Sequence, residues 1–117
     1  MKSRFMIASL GVCLAASSLF SATAAAQTQV GPTTIRVFNS GWASDQFSIG
    51  NGSTATNPAN CPSSDLYELG STNGGYKTIL ATTLTAVSSG QNVSIVVSNT
   101  TCGSSGRPLI IGLAINP

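Results

Sequence analysis

The stretch GGYKTILATTLTAVSSGQNVSIVVSNTTC, from Gly74 to Cys102, carries the clearest secondary-structure pattern of the chain. Apolar residues and one threonine recur there at steps of three and four, which predicts a helix with one buried face. This stripe comprises Tyr76, Ile79, Leu80, Thr83, Leu84 and Val87. Asn73 or Thr72 is expected to cap the start, and Gly90 to end the helix in a left-handed conformation. Because threonine is a mediocre helix former, the helix should depend on burying this stripe against a sheet.

The segments around this helix alternate apolar and polar residues, as half-buried strands do. After a short polar lead over residues 27–32, three strands are predicted before the helix and two after it, in residues 33–40, 45–53, 65–70, 92–97 and 108–116. A helix between the third and fourth of five strands is the element order of the OB-fold, a partly open Greek-key barrel. The sequence therefore predicts a mainly β domain with one helix, built as a small five-stranded OB-like barrel.

The last predicted strand, PLIIGLAIN, is apolar on both sides. A barrel of this size buries one side internally, and few charges are present to keep an exposed apolar edge from pairing. We therefore predict a homo-oligomer with Ile110 or nearby residues at or beside the subunit contact.

Residues 1–26 have the layout of a secretory signal peptide. Lys2 and Arg4 precede an apolar run over residues 5–20, and Ala24 and Ala26 form an A-x-A cleavage site. The apolar run is interrupted and is shorter than the roughly 20 residues that a membrane span needs. We expect no membrane span, a signal peptide over residues 1–26, and a single secreted or periplasmic domain over residues 27–117.

Charge is sparse in residues 27–117, which contain three basic and three acidic side chains and are formally neutral: Arg36, Lys77, Arg107, Asp45, Asp65 and Glu68. Such a domain lacks the positive surface that nucleic acid or anionic lipid requires, so neither is an expected partner. Its surface is solvated by uncharged polar residues, a composition that also suits neutral polar ligands such as glycans.

Cys61 and Cys102 are the two cysteines left once the signal peptide is removed. In an exported domain this favours a disulfide over two free buried thiols. The chain has no histidine, and a third cysteine is missing from the domain, so a zinc site is not expected. No metal or cofactor is predicted.

Catalytic groups are not evident. Without histidine, the serines have no partner for nucleophilic catalysis. Asp65 and Glu68 could form a glycosidase pair only if both converged on one bond, and solvation or pairing with an arginine is the simpler interpretation. We therefore do not expect an enzyme.

Three residues are the candidates for ligand binding. Trp42 lies in a predicted turn, where it could stack on a sugar or, alternatively, cap one end of the core. Asp45 follows the same turn, and Tyr67 lies in the short third strand.

The segment from Asn57 to Cys102 resembles a group of small secreted bacterial proteins. Their shared pattern is a loop containing proline and cysteine, a short strand, a helix that ends near "LTA", a glycine, a strand and a second cysteine. The matching residues are Asn57, Pro58, Cys61, Leu84, Thr85, Ala86, Gly90, Val93 and Cys102. The layout is more distantly similar to the OB-fold binding subunits of pentameric toxins, such as subtilase cytotoxin. That similarity implies a ring of subunits that binds host glycans.

The predicted function is thus non-catalytic binding by a secreted protein, with a glycan as the leading ligand. The alternatives are a structural or interaction protein of the cell envelope, and an accessory or inhibitor subunit of a secreted enzyme. The expected partner is then a host or envelope protein or, for the last alternative, the secreted enzyme.

Overall fold

The computed structural model describes residues 26–41 and 43–117. These residues form six strands and one helix: β1 (Gln27–Thr34), β2 (Val37–Ser40), β3 (Gln46–Gly50), β4 (Tyr67–Gly70), α1 (Tyr76–Ser89), β5 (Asn92–Cys102) and β6 (Pro108–Asn116). All strands belong to one sheet in the order β1-β5-β6-β4-β3-β2. Neighbouring strands are antiparallel except β4 and β6, which are parallel.

The sheet has two halves with different strand lengths. The long-strand half contains β1, β5 and β6, which have eight, eleven and nine residues. The short-strand half contains β2, β3 and β4, which have four, five and four residues. The halves meet where Glu68 of β4 pairs with Leu109 of β6. The helix packs against β6.

The mainly β architecture with one helix is confirmed, but the predicted five-stranded barrel differs from the structure in two respects. Residues 27–32, expected to be a polar lead, belong to β1, and the first predicted strand is interrupted at Ile35 and Arg36. The sheet therefore has six strands. Among the described residues, β1 and β2 lie at opposite ends of the sheet and do not pair with each other, so no barrel closes. Because only two residues connect them, the sheet must curl until its two ends approach at this point.

The predicted helix is present, but its start differs from expectation. Gly75 precedes α1 and no side chain caps it, since the Asn73 Oδ1 atom accepts a hydrogen bond from the Gly70 N–H at 3.2 Å instead. Gly90 ends the helix with φ 68°, the left-handed conformation that glycine adopts without strain.

The buried face of α1 is rotated relative to the predicted stripe. Tyr76, Ile79, Thr83 and Ala86 are buried, whereas Leu84 is 46% exposed and Val87 is also exposed. Burial of the small Ala86 side chain turns the face with Leu84 outward. The buried Thr83 hydroxyl donates to the Ile79 carbonyl at 2.7 Å, which satisfies its polar group inside the core. The expected packing of Leu84 and Val87 on the sheet is wrong.

A β-bulge explains why β6 is apolar on both sides. Val96 pairs with Gly112 and Val97 with Ile110, so Ile111 is the extra residue in its strand. The bulge changes which side chains face the core: Ile110 does so before it, and Leu113 and Ile115 after it. Ile110 is fully buried and Ile111 is 41% exposed. The Ile110 side chain itself therefore has no surface to offer a partner, and a subunit contact formed by residues near it stays a prediction.

The core is shared by the two halves of the sheet and the helix. All six strands and the helix contribute side chains to it. Its fully buried members include Phe47, Ile49, Leu69, Val93, Ile95, Val97 and Ile110. Tyr76 at the start of α1 contacts Phe47, with ring centroids 5.9 Å apart. The helix therefore connects the short-strand half to the long-strand half.

Candidate functional site

A polar concavity with a volume of about 380 Å³ lies on the short-strand half. Its wall is rich in side-chain amides and hydroxyls, with Leu66 as an apolar member and Arg107 as a cation. We call it the amide pocket, and its lining residues are Asn39, Ser40, Gly41, Gln46, Phe47, Ser48, Leu66, Ser105 and Arg107. Strand register places Asn39 opposite Ser48, and Ser48 opposite Glu68, so these three side chains share the sheet face that turns away from Phe47 and Ile49.

Glu68 is buried beneath this wall, with 2% of its surface exposed. Its carboxylate accepts a hydrogen bond from the Ser105 backbone N–H at 2.8 Å and another from the Ser105 hydroxyl. The β5–β6 loop, residues 103–107, passes directly over the carboxylate. A Cβ atom at Gly103 would overlap the Glu68 side chain, so only glycine allows this approach. Glu68 therefore fixes the loop that forms one side of the pocket.

Arg107 connects the loop to two carboxylates. Its Nε and Nη2 atoms donate to the two oxygens of Asp65 at 2.7 and 3.0 Å, a bidentate pair. Its Nη1 atom donates to the Ser105 hydroxyl at 3.3 Å and lies 3.9 Å from the Glu68 Oε2 atom. The hydrogen bonds from Arg107 hold the pKa of Asp65 below its ordinary value, and Asp65 in turn raises the pKa of Arg107. Of the simpler interpretations, pairing with an arginine is observed for Asp65, whereas Glu68 is hydrogen-bonded mainly to Ser105.

A disulfide links the end of β5, where this loop begins, to the β3–β4 loop, residues 51–66. Cys61 and Cys102 are bonded, as predicted, with their Cα atoms 5.7 Å apart. The Ser63 N–H also donates to the Gly106 carbonyl at 3.0 Å. Within the β3–β4 loop, the Asn57 side chain exchanges hydrogen bonds with the backbone N–H and carbonyl of Cys61 at 2.8 and 2.9 Å. The side of the pocket with Ser105 and Arg107 is thus held by covalent and polar links rather than by a long strand ladder.

A second, more open cavity of about 370 Å³ lies at the start of α1. It is lined by Asp45, Tyr76 and Lys77 together with small polar residues of the β4–α1 turn. The Tyr76 hydroxyl donates to the Asp45 Oδ1 atom at 2.6 Å. This hydrogen bond and burial of the ring raise the pKa of Tyr76 to about 12. Asp45 therefore has a partner within the protein.

Of the three residues predicted for ligand binding, the two that the structure describes, Asp45 and Tyr67, are not brought together. Trp42 lies outside the described residues. Asp45 lines the second cavity, not the amide pocket. Tyr67 is fully buried, and its hydroxyl oxygen accepts a hydrogen bond from the Thr56 N–H at 2.8 Å, so its ring belongs to the core.

The residues that line the amide pocket were missed by the sequence reasoning. Asn39 and Gln46 are ordinary strand and turn residues in the sequence, and only pairing of β2 with β3 places them on one face. A usable signal was the scarcity of charge. With three acids and three bases in residues 27–117, the closely spaced Asp65 and Glu68 require a cation, and Arg107 is one of three available.

Comparisons with models of known protein families, with curated proteins and with solved structures find no match. Among the described residues, no group of three or more histidine, cysteine, aspartate or glutamate side chains could hold a metal ion. In the same part of the chain, no helix is long and apolar enough to cross a membrane.

Proposed function

We propose that this protein is a secreted, non-catalytic binding protein whose amide pocket takes a neutral polar ligand, with carbohydrate as the ligand class. The observation that supports this is the composition of the wall: two side-chain amides, three hydroxyls, two apolar side chains and one arginine surround a cavity of about 380 Å³. That volume lies in the usual range of small-molecule sites, roughly 300–1,000 Å³.

Amides and hydroxyls suit a ligand with many hydroxyl groups. Each Asn or Gln side chain both donates and accepts, and a serine hydroxyl does the same. A sugar hydroxyl also does both, so neighbouring groups of the wall can pair with neighbouring hydroxyls of a sugar ring. Leu66 offers an apolar surface to the C–H groups of the ring. These contacts need no charge on either partner.

The fold supports the proposal only indirectly. The order β2-β3-β4, then β6 parallel to β4, then β5, with α1 between β4 and β5, is consistent with an open OB-type arrangement in which β1 and β2 together replace one long bent strand. On this basis we keep the similarity to toxin binding subunits as part of the proposal. Because a fold does not imply a function, the argument stands on the amide pocket.

Exposed apolar side chains favour a second candidate, an interaction protein of the cell envelope that could also self-associate. Leu84 and Val87 on α1 and Ile111 at the bulge are each at least 40% exposed. With Ile110 inside the core, Ile111 becomes the residue of β6 that could contact another subunit. Light scattering on the domain of residues 27–117 and on Ile111→Lys tests self-association. A monomer in both cases excludes it.

A glycan array followed by titration tests binding. The chain has one tryptophan, Trp42, next in sequence to the pocket residue Gly41, so its fluorescence is a convenient readout. Asn39→Ala and Gln46→Ala should each weaken binding by roughly twofold to tenfold, the effect of losing one hydrogen bond. Thr85→Ala on the exposed face of α1 is the matched control and should change nothing. Binding that is equally strong in all three variants would place the ligand elsewhere.

A further inference from the structure

We infer that the amide pocket rejects anionic ligands and selects neutral or amine-bearing sugars, because Arg107 braces the wall and is not free to bind a ligand carboxylate. This inference rests on the proposed function and specifies its ligand class. It follows from the hydrogen bonds of the guanidinium group and from the charge balance behind the wall.

The nitrogen atoms of Arg107 all face acceptors within the protein. The Nε and Nη2 atoms, which form the side of the guanidinium group that binds carboxylates in bidentate fashion, are both engaged by Asp65. The Nη1 atom is engaged by Ser105 and lies near Glu68. A ligand carboxylate or phosphate gains most from two parallel N–H donors on one arginine. It would have to displace Asp65 to obtain them.

The charge behind the wall is negative. Among the described residues that line the amide pocket, Arg107 carries the one charge. It is paired with two carboxylates, Asp65 and Glu68, so the group of three has a formal charge of minus one. Like charges placed together at a binding surface disfavour the complex, and the effect is larger where water is partly excluded. An ammonium group on the ligand would instead be attracted by this negative charge.

The guanidinium group is also held in place by the loop that carries it. Gly103 and Arg107 are joined by a backbone hydrogen bond of 2.8 Å from the Gly103 N–H to the Arg107 carbonyl. The disulfide at Cys102 and the Ser105 contacts to Glu68 fix the loop on both sides of this bond. Turning Arg107 toward a ligand would leave Asp65 and Glu68 without their cation.

The test uses three sugars of similar size: methyl glucoside, glucosamine and glucuronate. The Arg107 Nε–H signal is followed by NMR in the protein of residues 27–117 and in Asp65→Asn. Asp65 is 56% exposed on its side chain, so the variant should keep the fold, which the backbone spectrum checks directly. Asp45→Asn makes the same change of charge at the other cavity and is the matched control.

In the unmodified protein and in Asp45→Asn, glucuronate should leave the Arg107 signal in place. In Asp65→Asn, the freed donors should bind glucuronate at least about tenfold more tightly than the unmodified protein does. A shift of the signal by glucuronate in the unmodified protein, or no gain in Asp65→Asn, overturns the inference. A third outcome separates the two proposals. If neither methyl glucoside nor glucosamine binds to the unmodified protein while Asp65→Asn binds glucuronate more tightly, the role of Arg107 is supported and the sugar-binding proposal fails.

Discussion

The two halves of the sheet reach order by different means. In the long-strand half, β1, β5 and β6 contain no charged residue and form extended antiparallel ladders around Val93, Ile95 and Val97. In the short-strand half, strands of four or five residues offer short ladders. Glu68 of β4 and the adjoining loops carry charged side chains, and the disulfide ties Cys61 of the β3–β4 loop to Cys102 at the end of β5. Both halves bury side chains in the shared core, but the first half adds long backbone ladders, whereas the second adds links between loops.

This difference shows in which part of the fold a binding site can form with little loss of stability. Polar groups in place of the core-facing side chains of β5, such as Val93, Ile95 and Val97, would interrupt the apolar core. On the short-strand half, the loops supply Ser105 and Arg107 to the pocket while Glu68 and Cys102 hold them in position. We therefore expect the pocket residues to unfold locally before the strands of the long-strand half do.

Removal of the disulfide should have the largest effect. Replacing Cys61 and Cys102 with alanine should lower the free energy of unfolding by about 4 kcal/mol, since the bond closes a loop across 41 positions. Denaturant melts of the oxidised protein and the double variant measure this.

Hydrogen exchange on the same variant sharpens the comparison. Amides of β3, β4 and the β5–β6 loop should lose protection first, while those of β5 between Val93 and Val97 keep most of theirs. Uniform loss of protection over both halves would show that the disulfide supports the whole domain equally.

The helix provides the next largest effect, on the long-strand side. Ile79→Ala should cost about 3 kcal/mol because the side chain is buried against the core. Leu84→Ala should change the free energy of unfolding by less than about 0.5 kcal/mol, because Leu84 is largely exposed. Thermal or urea melts of the two variants decide between the observed helix face and the one that the sequence pattern predicts, and a larger loss for Leu84→Ala would favour the latter.

Local patterns in the sequence predicted most of the elements. The period of α1, its end at Gly90, the strands around Phe47, Val93 and Ile110, and the disulfide all follow from short-range rules of spacing and composition. The exact buried face of α1 could not be predicted in this way. Leu84 is an apolar side chain of the kind that fills protein cores, yet the smaller Ala86 is buried and Leu84 is exposed.

Features that depend on how the strands pair were not predicted from the sequence. The bulge that exposes Ile111 is a matter of register between β5 and β6, and apolar residues on both sides of the strand gave no sign of it. β1 reads as a polar lead because Gln27, Gln29 and Thr34 lie on an exposed edge strand. The amide pocket is assembled from β2, β3 and residues of three separate loops, so no contiguous motif marks it.

Substitution at the two carboxylates should have a smaller and unequal effect. Glu68→Gln removes the charge but keeps the shape of a buried side chain, and it should cost about 2 kcal/mol because hydrogen bonds to an ionised group are lost. Asp65→Asn, on a side chain that is largely exposed, should cost less than about 1 kcal/mol. Urea melts at neutral pH measure both values. Equal losses would mean that the junction between the halves does not depend on burial of Glu68.

The smallest effect concerns the contact between the start of α1 and the short-strand half. The hydrogen bond to Asp45, together with burial, raises the pKa of Tyr76 to about 12 from the ordinary value of 10.0. Because the folded-state pKa is the higher one, this contribution to stability is fully present below pH 10 and is lost as the pH rises through 12. Ultraviolet titration at about 295 nm resolves tyrosinate formation, and Tyr76→Phe identifies which transition belongs to Tyr76. Asp45→Asn should move that transition down toward 10, whereas Asp65→Asn, which lies by the amide pocket, should leave it in place. A Tyr76 transition near 10 in the unmodified protein would show that the helix start is not held to β3 by this bond, and the contact between Tyr76 and Phe47 would then be the remaining link there.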